Sequence, residues 1–187
     1  MGLLDKIMAT LGPSGDSEAP ASAKFATRDG VVYAPASGML MSLREVNDEV
    51  VSAGLLGEGY AILPVGDGVV YAPVNGRIAA TTVTNHSIGL LTDDGIEIVI
   101  HVGIGTVNMN GKGFERFVEV NDAVKAGTPL IRFDRAAVAA AGYEDVVVVA
   151  VSNADKFSRI DLIADSGTLL GDRPLVKLGD PLMTVHR

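Results

Sequence analysis

The chain has 187 residues, with 23 Asp and Glu against 15 Lys and Arg and a formal net charge of −8. That balance argues against nucleic acid, whose phosphates need a basic surface; it suits a soluble protein that meets basic patches on its partners. The absence of cysteine excludes disulfides and thiolate metal sites. Hydrophobic residues make up 48%, enough for a full core, yet the apolar runs fall far short of the roughly 20 residues needed to cross a bilayer. The start, Met1-Gly2-Leu3-Leu4-Asp5-Lys6, lacks the charged region and cleavage site of a signal peptide, so the cytoplasm is the expected compartment.

In chain order, Leu3, Leu4, Ile7, Met8 and Leu11 fall on one face at helical spacing, predicting a short amphipathic helix over 3–11. Such a helix can pack on the domain or lie on a membrane surface. Lys6 is its only basic side chain, so attraction to anionic lipid would be weak. Gly12 to Ala23 is rich in Gly, Pro, Ser and Ala and reads as a flexible linker. The reading is therefore an amphipathic segment and linker over 1–24 and one domain over 25–187. Within it, Gly30-Val31-Val32-Tyr33-Ala34-Pro35 recurs as Gly68-Val69-Val70-Tyr71-Ala72-Pro73, an offset of 38 positions (68 minus 30). Six identical consecutive residues mark a duplicated β-unit. Further strands are predicted at 60–64, 87–92, 96–101, 129–133, 146–151 and 182–185, and a helical turn or two at 135–141. The segment 120–130 has an echo in 170–175, both polar turns leading a strand back into the core. Short strands between Gly, Pro, Asn and Asp punctuation, with little helix, predict an all-β fold: an antiparallel β-sandwich or flattened barrel with an internally duplicated hairpin motif.

Three histidines are present, and His186, next to the end, is read as solvated. In the run Ile96-Glu97-Ile98-Val99-Ile100-His101 side chains alternate. Ile96, Ile98 and Ile100 then face the core, while Glu97, Val99 and His101 face the other way. Thr92-Asp93-Asp94-Gly95 is a strong turn signal. A hairpin centred between Asp93 and Asp94 opposes residues whose numbers sum to 187, and His86 and His101 do so. Their Cβ atoms would then lie roughly 5 Å apart; a three-residue loop with a Gly95 bulge would shift the pairing by one. Two neighbouring imidazoles can bind a metal, act as an acid–base pair or handle a phosphoryl group, and backbone N–H groups of Val102-Gly103-Ile104-Gly105-Thr106 could serve the last role too.

Thr84-Asn85-His86-Ser87-Ile88-Gly89 together with Gly95-Ile96-Glu97-Ile98-Val99-Ile100-His101-Val102-Gly103-Ile104-Gly105-Thr106-Val107 resembles the signature of the glucose-class enzyme IIA of the phosphoenolpyruvate-dependent sugar phosphotransferase system. Gly111-Lys112-Gly113-Phe114, Gly57-Glu58-Gly59-Tyr60-Ala61-Ile62 and Ala72-Pro73-Val74-Asn75-Gly76 extend the resemblance to roughly residues 28–180. It implies a β-sandwich of duplicated hairpin units and a free-standing member, since the first seven residues are similar to the amphipathic start of such members. It implies that His101 accepts a phosphoryl group from the phosphocarrier HPr and passes it to a cysteine on the IIB domain of a sugar permease. His86 would hydrogen-bond the phosphoryl group, and Thr84 would orient His86. It also implies regulation of transporters or metabolic enzymes in the unphosphorylated state, with zinc in some members shared between residues matching His86 and His101 and a partner carboxylate; no cofactor is required for the carrier role.

The matching partner-docking positions are Val50, Val51, Leu55, Leu56, Val99, Val102 and Val107, with Thr82 in place of an aromatic residue. Gly105 stands where the family pattern His-x-Gly-x-Asp-Thr has Asp; one carboxylate fewer eases repulsion of a dianionic phosphoryl group. Competing readings fit less well. A zinc peptidase of related topology needs a His-x-His pair and an Asp, and no His-x-His occurs. A biotin or lipoyl carrier needs a motif-flanked lysine at a hairpin tip. A regulatory binding module without phosphoryl transfer would have no use for the intact histidine pair.

Overall fold

The two copies of the hexapeptide form matched strands that exchange backbone hydrogen bonds. In this structure, a computed structural model that describes residues 18–164, 169–170 and 173–187, they are β1 (Val31–Tyr33) and β4 (Val69–Tyr71). β-branched and aromatic residues suit strands, and a glycine at positive φ opens each copy, Gly30 at 70° and Gly68 at 71°. Tyr33 N–H donates to Pro73 O (3.0 Å), and Tyr71 N–H to Pro35 O (2.9 Å), so each copy closes on the other. The amphipathic segment expected over 3–11 and most of the linker expected over 12–23 lie outside the described residues. Of the stretch that is described, Ala23 donates its N–H to Gly127 O at 2.9 Å and Phe25 packs on Tyr33, ring centroids 5.4 Å apart.

The duplication reaches further than the hexapeptide, and here the sequence reading needs correction. The segment 120–130 is not matched by 170–175. Its counterpart is 176–182: Val124-Lys125-Ala126-Gly127-Thr128-Pro129-Leu130 repeats as Val176-Lys177-Leu178-Gly179-Asp180-Pro181-Leu182, an offset of 52 (176 minus 124). The physical reason is in the ladder. Gly127 N–H donates to Ala72 O (2.8 Å) as Gly179 N–H donates to Ala34 O (3.0 Å). Ala72 N–H reaches Thr128 O as Ala34 N–H reaches Asp180 O, both at 2.8 Å. Leu170 and residues 173–175 instead belong to β13 (Leu169–Leu170) and β14 (Arg173–Val176), which pair antiparallel.

The remaining strands are β2 (Gly38–Ser42), β3 (Glu58–Pro64), β5 (Gly76–Thr81), β6 (Ser87–Leu91), β7 (Glu97–Ile104), β8 (Phe114–Arg116), β9 (Ala123–Val124), β10 (Pro129–Phe133), β11 (Glu144–Val151), β12 (Arg159–Leu162) and β15 (Pro181–His186). Two short helices are described, α1 (Glu49–Ser52) and α2 (Arg135–Ala140), and every strand pairing is antiparallel. The fold is all-β, as expected, and every strand predicted from the sequence is present within a few residues of its expected ends. A nine-stranded sheet runs β13-β14-β2-β3-β11-β7-β6-β5-β9, and two three-stranded sheets run β1-β15-β12 and β4-β10-β8.

The main core holds Ile62, Ile88, Ile98, Ile100, Leu130, Ile131 and Phe133. A second, smaller cluster lies on the other face of the large sheet: Leu43, Val46 and Val51 of the β2–β3 connection cover Ala61, Val146, Val148 and Ala150. β7 presents His101 on that same face, opposite Val148. Among the described residues, no helix is long and apolar enough to cross a membrane.

Gly127 and Gly142 separate two costs of a side chain. Gly142 (φ 81°) has open space around its missing Cβ, whereas a Cβ on Gly127 (φ 89°) would sit 2.2 Å from Ala23 O. Gly142→Ala is expected to cost about 1 kcal/mol from backbone strain alone, and Gly127→Ala about 3 kcal/mol or more because the 23–25 stretch must also move. Urea denaturation of both variants checks this; equal losses would mean that the stretch yields freely.

Candidate functional site

The site is built at the end of the β6–β7 ladder. At its other end, Gly95 at φ 85° closes a three-residue turn: Thr92 N–H donates to Ile96 O and Gly95 N–H to Thr92 O, both at 3.0 Å. Buried Asn153 clamps this tip, donating to Gly95 O (2.9 Å) and accepting from Glu97 N–H (3.0 Å). Leu91 therefore pairs with Glu97 and Ser87 with His101, a register sum of 188 rather than the predicted 187. His86 is not the direct cross-strand partner of His101. Its carbonyl instead accepts from Val102 N–H at 2.7 Å. The predicted alternation holds: Ile96, Ile98 and Ile100 are buried, and Glu97, Val99 and His101 are half-buried on the other face.

The rings meet nevertheless. Asn85 adopts φ 57°, a left-handed conformation that asparagine tolerates, in the turn that leads to His86 and β6. The imidazoles of His86 and His101 stand perpendicular with centroids 4.9 Å apart. His86 is 7% exposed. Its Nδ1 lies 2.6 Å from Thr84 Oγ1 and 3.4 Å from Thr82 Oγ1. Thr82 sits lower in the turn and also accepts from Ser87 N–H at 3.2 Å.

Beyond His101 the chain bulges. Gly103 has φ 78°, and a Cβ there would lie 2.2 Å from Thr106 Cγ2. The Thr106 hydroxyl donates to Val102 O at 2.6 Å, pinning the loop. At this bulge the Gly103 backbone favours the protonated His101 ring. Gly105 (φ 76°) lies under the Tyr143 ring, whose Cδ1 would be 2.7 Å from an added Cβ. The ring packing thus accounts for glycine where the family pattern has Asp.

Asp48, which the sequence reading did not single out, completes the electrostatics. It caps α1, accepting from Val50 and Val51 N–H at 2.9 Å each, and its charge acts on His101. Asn47-Asp48-Glu49 ahead of Val50-Val51 is a helix-start signal that could have located it. Burial pushes the His86 imidazole below the ordinary histidine range. Burial also lowers His101, helped by repulsion from His86 and opposed by Asp48 and by the Gly103 backbone. At neutral pH each ring is therefore uncharged, with one lone-pair nitrogen and one N–H.

Of the expected docking residues, Val50, Leu55 and Val107 are exposed, and Val99 and Leu56 are half-buried. Two are corrected: Val51 (2% exposed) packs in the second cluster and Val102 (0%) in the main core, so neither side chain can meet a partner. The alternation that faces His101 outward sends Val102 inward, and α1 turns Val51 onto the sheet. Val83, not anticipated, is 98% exposed next to Thr84. His186 is half-buried and its Nε2 lies 2.9 Å from Asp161 Oδ2, away from the pair. Among the described residues no three His, Cys, Asp or Glu side chains gather as a metal cluster.

Comparison with known proteins gives a family model, "phosphoenolpyruvate-dependent sugar phosphotransferase system, EIIA 1", matching residues 30–157. The PTS system beta-glucoside-specific EIIBCA component of Bacillus subtilis (strain 168) is 39% identical over 148 residues, 78% of this chain and 24% of that one. The chain thus spans about a quarter of such a relative's length. The PTS system glucose-specific EIIA component of Staphylococcus aureus (strain COL) is 30% identical over 153 residues, 82% of this chain and 92% of the relative. The solved glucose permease IIA from Mycoplasma capricolum matches with a TM-score of 0.68 and 30% identity, covering 86% of this chain and 98% of that one.

The pKa balance at His101 can be read by ring-proton NMR titration. Asp48→Asn keeps the helix cap but removes the charge, and should move the His101 midpoint further down; His86→Gln removes the repulsion and should move it up. Because both folded rings resist protonation, folding stability is full above about pH 6.5 and declines as pH falls below that value, where the unfolded chain takes up more protons. Shifts of like sign in the two variants would overturn this account.

Proposed function

The chain belongs to the EIIA 1 family of the phosphoenolpyruvate-dependent sugar phosphotransferase system and has that family's phosphocarrier role; on that premise we propose that His101 is the phosphoryl acceptor and His86 the group that steadies the phosphoryl. The observation that carries this reading is the perpendicular pair of uncharged rings 4.9 Å apart, with only His86 tied to hydroxyls. One His101 nitrogen attacks the donor's phosphorus with its lone pair. A P–N bond forms as the donor's bond to phosphorus breaks. Thr84 orients His86. When its O–H donates to Nδ1, the His86 proton resides on Nε2, free to donate to a phosphoryl oxygen.

HPr is the donor. The acceptor is a cysteine on the IIB domain of a sugar permease, a pairing supported by relatives named EIIBCA, such as the one from Bacillus subtilis. Val50, Leu55, Val83 and Val107 supply the apolar contact surface for both. The protein works in the cytoplasm, with residues 3–11 offering a weak contact to the membrane. Without phosphate, the same face binds regulated transporters or metabolic enzymes. There His86 and His101 would supply two of zinc's usual four ligands, and a partner carboxylate would supply another.

Incubation with phosphoenolpyruvate, enzyme I and HPr should label the wild-type protein, and His101→Ala should abolish labelling. His86→Gln should still accept label but pass it to a IIB domain at least about a hundredfold more slowly. Label persisting in His101→Ala would overturn the assignment.

A further inference from the structure

The turn that carries His86 is held from behind by one side chain. Arg116, the last residue of β8, has a side chain only 16% exposed and uses all three guanidinium nitrogens. Nε donates to Val118 O (2.8 Å), and Nη1 to Thr82 O (3.2 Å) and Asn85 Oδ1 (3.0 Å). Nη2 donates to both carboxylate oxygens of Glu119, at 2.9 and 2.8 Å. The Nη1 bonds end on the two residues that flank Val83 and Thr84. Asn85 N–H also donates to Thr82 O (3.1 Å), so that carbonyl closes the turn and receives the arginine together. Asn85 is the residue at φ 57° that leads the chain into β6 just before His86. On a further side, the Gly111 backbone lies against Thr84, where an added Cβ would be 3.7 Å from Thr84 Cα.

The chain of dependence is short. His86 Nδ1 has Thr84 Oγ1 as its close partner; Thr84 is placed by the 82–85 turn; the turn is bolted by Arg116, which Glu119 in turn holds. Arginine suits this task because its planar fork serves several acceptors at fixed angles, which a lysine ammonium cannot reproduce. We propose that Arg116 is a positioning residue for phosphoryl release: through the 82–85 turn it fixes Thr84 on His86 Nδ1 and so keeps the other His86 nitrogen directed to the phosphoryl group on His101. The inference rests on the reading of His101 as acceptor and deepens it, since it places the requirement in the step that hands the group on.

The test uses the full-length protein with Arg116→Lys, and Asn85→Gly as a second variant that keeps the positive φ while removing one acceptor. Two readouts are taken. Ring nitrogen–proton NMR of the unphosphorylated protein reports the His86 tautomer, and rapid-quench assays report acceptance from HPr and transfer to a IIB domain separately. In Arg116→Lys, acceptance should stay within about twofold while transfer slows about tenfold, the scale of one lost hydrogen bond to a charged group. Asn85→Gly should slow transfer about threefold, as expected for a single neutral acceptor. The His86 ring signals should show a mixed tautomer in both. Unchanged His86 signals with wild-type transfer would overturn the proposal, as would acceptance and transfer falling by equal factors. If Arg116→Lys does not fold, Asn85→Gly alone decides by the same criteria. Absence of label in the wild type would instead strike the carrier reading, and the His86 tautomer would still judge Arg116.

Discussion

Gly95, at φ 85°, lets β6 and β7 turn in three residues, and the register that follows decides which residues meet at the far end of the ladder. One residue more or fewer in that turn would exchange the faces of every side chain on one strand. The isoleucines of β7 would then lose the core and His101 would enter it. The tip is accordingly over-determined: the Thr92–Ile96 exchange, the Thr92 hydroxyl accepting from Ile96 N–H and the buried Asn153 all fix the same count. The chemistry at one end of the hairpin depends on a clamp at the other.

At the site itself the governing constraint is electrostatic. Two imidazoles in contact cannot both be protonated cheaply, and burial discourages either charge. Asp48 and the Gly103 backbone work in the opposite direction on His101 alone. The two rings thus share one type of side chain but differ in surroundings: His101 is half-buried with a carboxylate nearby, whereas His86 is enclosed and tied to hydroxyls. The difference between the two rings is made by position rather than by residue type.

Much of this was legible in the sequence because it is local. Alternation located the β7 faces, the hexapeptide repeat located β1 and β4, and turn chemistry located the hairpin. The register was missed by one because an Asp-Asp-Gly turn fits both a two-residue and a three-residue loop, and only the positive φ of Gly95 distinguishes them. The second repeat was misplaced because Gly127 and Gly179 are related by their hydrogen bonds to Ala72 and Ala34, contacts distant in sequence. Asp48 and Arg116 were passed over for the same reason: each is an ordinary cap or ion-pair residue until the fold carries it to the histidines. Val51 and Val102 failed as docking residues because a resemblance transfers positions without telling which way each side chain points.

Gly105 beneath the Tyr143 ring has a steric consequence. Restoring an aspartate there would require its Cβ to occupy space 2.7 Å from the aromatic carbon, in a backbone conformation that resists side chains. The two positions are therefore sterically coupled. An aspartate at position 105 is accommodated only if the Tyr143 ring moves aside or residue 143 becomes smaller. The charge that position 105 can carry is in this way set by a residue on the strand-entry loop after α2, outside the segment that holds the two histidines.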